Sequence, residues 1–181
     1  MLLQKEDMES SPQLRTQNTK LKLWSKYLHL NSYNIEHLTA LVRAAEVKRS
    51  PLILLLFPST LKQFPSLAWA ASAAIESASV PISLHLDHAQ DETQIREVVQ
   101  TLPFDSIMVD MSHYDHAENL AKTKVLAKLC HEKGIAVEAE SGRINGGEDG
   151  IADTGDLEGK LGVSSWWESS WIRRLLHWQY Y

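Results

Sequence analysis

Between Tyr33 and Glu140 the apolar residues alternate between helical and strand-like spacing. "NIEHLTALVRAAEVKR" opens with Asn34, a residue type that caps helix N-termini. It then places Ile35, Leu38, Leu41, Val42 and Ala45 on one helical face. The unbroken apolar run "PLILLLF" follows, of the kind found in strands buried on both faces. The Ala-rich stretch "SLAWAASAAIESA" is helical by composition, and "PISLHLD" reads as the next strand. "ETQIREVVQTL" returns to helical spacing through Ile95, Val98, Val99 and Leu102, and "DSIMVD" is a short strand. In the helix "DHAENLAKTKVLAKLCHEKG", Asp115 and Glu118 suggest a capping box and Gly134 marks the stop. "IAVEAE" closes the series as a strand.

This alternation, at intervals of roughly 25 residues, predicts βαβ units around a parallel sheet. An open doubly wound sheet and a closed barrel both satisfy it. The open sheet usually carries a Gly-rich turn after its first strand. Here the glycines cluster late, at 142–150, so the barrel is favoured. The expected fold class is α/β, an incomplete (β/α)8 TIM barrel of about five βα units. Residues 1–24 are polar without sustained periodicity and are expected to be poorly ordered. Residues 25–153 are expected to hold the partial barrel. Residues 154–181 form an atypical tail rich in tryptophan, with Trp166, Trp167, Trp171 and Trp178.

A chain of 181 residues suffices for one domain with a substantial core. With 44% hydrophobic and 23% charged residues, its composition fits a soluble globular protein. A net charge of −5 argues against nonspecific grip on nucleic acid, which needs a basic surface to displace counterions. The single cysteine, Cys130, excludes an internal disulfide and any multi-cysteine metal cluster, so a reducing compartment is the default. The start "MLLQKEDMESS" becomes charged too early for a signal peptide. "LILLLF" is far shorter than the ~20 residues a bilayer requires. The expectation is a cytoplasmic protein with neither membrane nor nucleic-acid partners.

In parallel α/β proteins chemistry collects at the C-terminal ends of strands. One predicted strand ends at Asp87-His88, the next at Asp110, and the following one carries Glu138 and Glu140 on one face. Carboxylates with a nearby imidazole suit a divalent metal together with acid–base groups. Adjacent residues on a regular strand point to opposite faces, so Asp87 and His88 share a site only where the strand is ending. The polar "AQDET" after them supports such an ending. Asp87 also reads as a plain helix cap, and Glu138 as one arm of a structural salt bridge. His85 reads as a satisfied core or helix-facing histidine, and His113 and His116 as loop residues. His37 and His131 look like exposed helix positions. Gly146 and Gly147 make "ESGRINGGEDG" a candidate mobile loop carrying Glu148, whose bland reading is a solvated acidic turn.

These residues resemble the class II, metal-dependent fructose-bisphosphate aldolases, including the tagatose-bisphosphate type. The likeness runs from about Tyr33 to Gly150. It rests on "YNIEHLTALVRAAE", "SLHLDHAQD", "IMVDMSH", "ENLAKTKVLAKLCHEKGIAVEAE" and "GRINGGEDG" in that order. The resemblance implies a (β/α)8 barrel that uses zinc to cleave a ketose bisphosphate, as in glycolysis, into dihydroxyacetone phosphate and an aldehyde. It implies that Asp87 is the acid–base aspartate for the hydroxyl next to the cleaved carbon–carbon bond. His88 is then the first zinc histidine, and Asp110 and Glu140 are carboxylates near the metal. Glu148 is the loop glutamate that moves a proton on the dihydroxyacetone phosphate half. A Schiff-base aldolase would need a lysine, and no predicted strand ends in one.

After Gly150 the chain departs from the family pattern, which continues through three more strands bearing two further zinc histidines. "DTGDLEGKLGVSSWWESSWIRRLLHWQYY" matches none of them and reads as a different frame, a retained intron or an alternative terminus. Impaired cleavage in this short chain is therefore expected. A noncatalytic alternative is a truncated partner that pairs with a full-length aldolase or with itself. A further alternative is another metal-dependent lyase or a sugar-phosphate isomerase on the same fold.

Overall fold

The computed structural model describes residues 28–140. The expected segments at 1–24 and 154–181, and the loop bearing Glu148, lie outside the described residues.

Five strands form one parallel sheet: β1 (Leu28–Asn31), β2 (Leu52–Leu56), β3 (Ile82–Ala89), β4 (Ser106–Val109) and β5 (Ala136–Ala139). Helices make every crossover. α1 (Ile35–Lys48) joins β1 to β2, and α2 (Pro58–Gln63) with α3 (Leu67–Ser77) joins β2 to β3. α4 (Glu92–Thr101) and α5 (His116–Glu132) complete the set. Each strand pairs with its immediate successor, in the order β1-β2-β3-β4-β5. A doubly wound sheet reverses strand order at a switch point, whereas a barrel wall runs sequentially. The observed order is that of five consecutive strands of a barrel wall.

The helix starts are set by side-chain oxygens that take up backbone N–H groups left over at an N-terminus. Asn34 accepts from His37 N at 2.8 Å, Asp91 from Thr93 N at 2.8 Å, and Asp115 from Glu118 N at 3.0 Å. The cap of α4 is therefore Asp91, which disposes of Asp87 as that helix's cap. α5 stops before Gly134, whose φ of 75° suits a residue without Cβ.

Two elements differ from the pattern-based expectation. β1, "LHLN", carries little strand signal because it is four residues long and half-exposed. The short α2 precedes the Ala-rich α3 and starts with Pro58, which is tolerated in a helix's first turn. On α1, Leu38, Val42 and Ala45 are buried as expected, but Ile35 at the first position is exposed.

The main core lies between the sheet and its helices. Leu52, Leu54 and Leu56 of β2, Ile82, Leu84 and Leu86 of β3, and Ile107 and Val109 of β4 pack there. They meet Leu38, Ala71, Ile95, Val98, Leu126 and Cys130 from the helices. Period two sends the intervening residues to the opposite, inner face. Ile53, Leu55 and Met108 are buried outside the helix-side core, and this inner face also carries His85, Asp87, Ser106, Asp110 and Glu138. The apolar side of each strand thus anchors the wall while the other side is left for chemistry.

Candidate functional site

β3 departs from regular geometry where its sequence turns polar. Leu86 pairs with Ile107 and Ala89 with Val109, so Asp87 and His88 together face the single residue Met108. This two-against-one arrangement is a β-bulge. Its hinge is His88, at φ 48° in the left-handed region that non-glycine residues seldom occupy. The strand does not end at Asp87, as the pattern suggested, but runs on to Ala89. The bulge, rather than a strand end, brings both side chains to the inner face. The two groups stand together there, His88 Nε2 lying 4.0 Å from Asp87 Oδ1.

Asp110 follows β4 directly, its N–H bonded to Ala89 O at 3.0 Å, and is 2% exposed. Its Oδ2 meets His88 Nδ1 at 3.1 Å and accepts from Gln90 Nε2 at 2.9 Å. Its Oδ1 accepts from Ser112 Oγ at 2.6 Å and Ser112 N at 3.0 Å. Burial alone would raise the Asp110 pKa. The hydrogen bonds from His88, Ser112 and Gln90 outweigh it and hold the carboxyl ionised, well below the usual carboxylate range.

Below Asp87, His85 is fully buried, with Nδ1 2.8 Å from Ser106 Oγ. Its Nε2 lies 3.6 Å from Glu138 Oε2 and 3.9 Å from Asp87 Oδ1. Burial, reinforced by His29 and His88, pushes the His85 pKa down to about 3, so the ring is neutral and these contacts are not ion pairs. His85 is a buried histidine, as expected, but it faces the site rather than the helices. Glu138 is pushed the other way, up to about 7, by burial first and then by Asp87 and Glu140, with His88 opposing. A carboxyl poised near neutrality beside a second carboxylate is the pattern of a proton-exchanging group.

Glu140 sits one residue past β5. Its N–H reaches Val109 O at 3.5 Å, and Asn119 of α5 donates to its carbonyl at 3.0 Å. His113 and His116 fall outside this cluster: the His113 ring lies tilted against Tyr114 in the β4–α5 loop, and His116 is the first residue of α5. Glu148 lies outside the described residues. Of the residues predicted from sequence, Asp87, His88 and Asp110 are brought together, and Glu140 stands at the neighbouring strand end. Gln90, Ser112, Ser106 and the pairing of His85 with Glu138 were not anticipated. Period-two counting back from Asp87 and from Glu140 is the signal that reaches His85 and Glu138.

His88 suits a zinc ligand, being an imidazole whose second nitrogen is held by a carboxylate. Catalytic zinc usually takes three protein ligands. Among the described residues no group of three His, Cys, Asp or Glu side chains gathers as a metal set. The described residues fit one corner of such a site and do not complete it.

Residues 25–162 match the family model described as "Fructose-bisphosphate aldolase class-II". A protein of Coccidioides immitis (strain RS) assigned as a fructose-bisphosphate aldolase is 52% identical over 137 residues, covering 71% of this chain and 45% of that protein. A fructose-bisphosphate aldolase of Streptococcus pyogenes serotype M3 is 39% identical over 132 residues, 70% of this chain and 44% of its own length. Among solved structures, a Coccidioides immitis protein assigned as a fructose-1,6-bisphosphate aldolase superposes with a TM-score of 0.73 at 48% identity, covering 83% of this chain and 53% of that one. The YdjI aldolase of Escherichia coli K12 superposes with a TM-score of 0.60 at 28% identity, covering 78% and 53%. The chain thus spans about half the length of the relatives it matches.

Proposed function

Because this chain belongs to the class II fructose-bisphosphate aldolase family, we propose that the β3–β5 mouth is the acid–base half of an aldol-cleavage site. Its substrate would be a ketose 1,6-bisphosphate of the fructose or tagatose type, split into dihydroxyacetone phosphate and an aldehyde phosphate. The carrying observation is the bulge at His88, which sets Asp87 and His88 side by side on the inner face.

In this reading Asp87 takes the proton from the hydroxyl next to the breaking carbon–carbon bond, and returns it in the condensation direction. The neutral His85 ring lies 3.9 Å from Asp87 and 3.6 Å from Glu138, and the Glu138 carboxyl, with its pKa raised to about 7, can take up or release a proton beside it. Glu148 serves the dihydroxyacetone phosphate half. His88 holds zinc or another divalent ion, with Glu140 nearby. When bound, that ion supplies positive charge for the negative charge that bond cleavage develops. The family match is what supports placing this reaction in a cytoplasmic, glycolysis-type setting.

Among the described residues His88 is the one counterpart of the family's zinc histidines, and our reading is that the 181-residue polypeptide, assayed by itself, turns over little substrate. The test is an assay with fructose 1,6-bisphosphate and added zinc, beside zinc binding by wild type and His88→Ala. Turnover near background, with zinc binding that His88→Ala abolishes, supports the reading. Robust turnover abolished by Asp87→Ala would contradict the impairment, and zinc binding unchanged in His88→Ala would contradict the site.

A second reading is a noncatalytic partner of a full-length aldolase or a homo-oligomer. It is favoured by the sheet's two outer strands, β1 and β5, which among the described residues each pair on one side only. Co-purification with such an enzyme supports it, and a monomer at micromolar concentration contradicts it.

A further inference from the structure

The buried side of α5 changes character along its length. Toward its C-terminal end that side is apolar, with Leu126, Ala127 and Cys130 fully buried in the core. Nearer the mouth it is polar: Asn119 and Thr123, one helical turn apart, are each 2% exposed. Asparagine is a poor residue for a helix interior, because its side chain competes for backbone groups. A buried amide is also costly unless its hydrogen bonds are made. Packing alone gives no reason for this pair.

The chain leaving β5 supplies one. Asn119 Nδ2 donates to the Glu140 carbonyl at 3.0 Å, and Thr123 Oγ1 donates to Asn119 Oδ1 at 3.0 Å. The threonine thereby decides which way the amide points. Turned over, the amide would set its oxygen against the Glu140 carbonyl with no proton between them. Glu140 stands where the sheet releases the chain, one residue past β5. Its own N–H reaches Val109 O only at 3.5 Å, against about 2.9–3.0 Å for an ordinary backbone bond. The shorter of these two backbone bonds therefore comes from α5 and not from the sheet. Period two carries the Glu140 side chain to the same inner face as Glu138, so a turn of the backbone at this residue would move that side chain off the mouth.

We propose that Asn119, its amide aimed by Thr123, is a positioning residue that fixes the backbone where β5 opens into the mouth and so sets where the Glu140 side chain enters. Its value for catalysis rests on the reading of the mouth as an aldol-cleavage site; the tie between α5 and the β5 exit does not. The tie also gives α5 two separate tasks. Its apolar half packs the wall, and its polar half holds the chain at the rim.

The experiment is NMR of the full chain without substrate or added metal. In the wild type, magnetisation should pass through the hydrogen bond from Asn119 Nδ2 to the Glu140 carbonyl carbon. No transfer, with an Asn119 amide that exchanges as fast as an exposed one, would overturn the proposal without any variant having to fold. A pair of variants then separates aiming from packing. Thr123→Ser keeps the hydroxyl and loses a methyl, whereas Thr123→Val keeps the volume and loses the hydroxyl. Thr123→Val should abolish the transfer and speed hydrogen exchange at the Glu140 N–H by about tenfold or more, the scale of leaving one buried polar group unsatisfied. Thr123→Ser should retain both, and the amides of β1 and β2 should be unchanged in either variant. The reverse order, with the serine variant disturbing Glu140 and the valine variant sparing it, is the result of a packing role and would overturn the proposal. So would changes confined to α5 with Glu140 unaffected. Because these readouts use neither substrate nor cation, a failed tie leaves the cleavage reading standing, and turnover or zinc results that defeat that reading leave the tie standing.

Discussion

At the scale of single residues the site is a set of opposed pKa shifts, and each carries a sign. His85 is held neutral by burial, with its pKa pushed down to about 3, whereas in the unfolded chain it returns to about 6.5. Between those values the unfolded chain binds the extra proton, so stability rises with pH. Acidification from about 6.5 toward 3 therefore weakens the fold, and His85→Gln should flatten that limb in urea midpoints measured across the window. Glu138 has the opposite sign. Its pKa is raised to about 7 by burial and by the Asp87 and Glu140 charges. Its contribution is full below the ordinary carboxylate range and is lost as pH rises through about 7. Glu138→Gln should therefore be more stable than wild type near pH 8 and indistinguishable from it near pH 4, by thermal melting; equal melting at both would contradict the buried, charge-crowded environment. Asp87, His88 and Asp110 were legible in the sequence because polar residues at the ends of apolar runs stand out. The side of the sheet that His85 faces was not, since it depends on the register of Leu55, His85 and Ser106 across three strands.

At the scale of elements, the sequence carried most of the helices and the central strands because their caps and periodicities are local. Asn34 and Asp115 are read from adjacent residues and act as caps in the structure. The β-bulge is not local, because it appears only when β3 is aligned with β4. β1 was missed for a related reason: four half-exposed residues become a strand by pairing with β2, not by their own pattern. Two outcomes follow for these elements. Replacing Asp91, which accepts from both Thr93 N and Gln94 N, by alanine should cost about 1 kcal/mol in chemical denaturation. At the bulge, a left-handed residue with Cβ costs about 1–2 kcal/mol relative to glycine. His88→Gly should therefore be more stable than His88→Ala by about that amount. An equal stability of the two variants would mean that the left-handed turn is not held in solution.

At the scale of the whole molecule, the sequential strand order is what makes a shared site out of separate strand ends. In a barrel wall the C-terminal ends of neighbouring strands point to one mouth, so residues 20 or more positions apart meet, as His88 meets Asp110. The helix-side core fixes that geometry. Leu54, Leu86 and Ile107 stand on three adjacent strands with no exposure at all, and truncating Leu54 to alanine should cost about 2–5 kcal/mol. The barrel class was legible from the βαβ alternation and the missing Gly-rich turn, whereas the distinction from an open sheet became firm only with the strand order. The central claim is that this mouth gathers a proton-handling aspartate and a metal-holding imidazole at the same place. Anomalous diffraction at the zinc edge, from crystals grown with zinc, tests it most directly. The account predicts a peak about 2.0–2.1 Å from His88 Nε2, on the Asp87 side of the ring. A peak elsewhere with His88 unliganded, or a His88 ring turned away from Asp87 and Asp110, would contradict it.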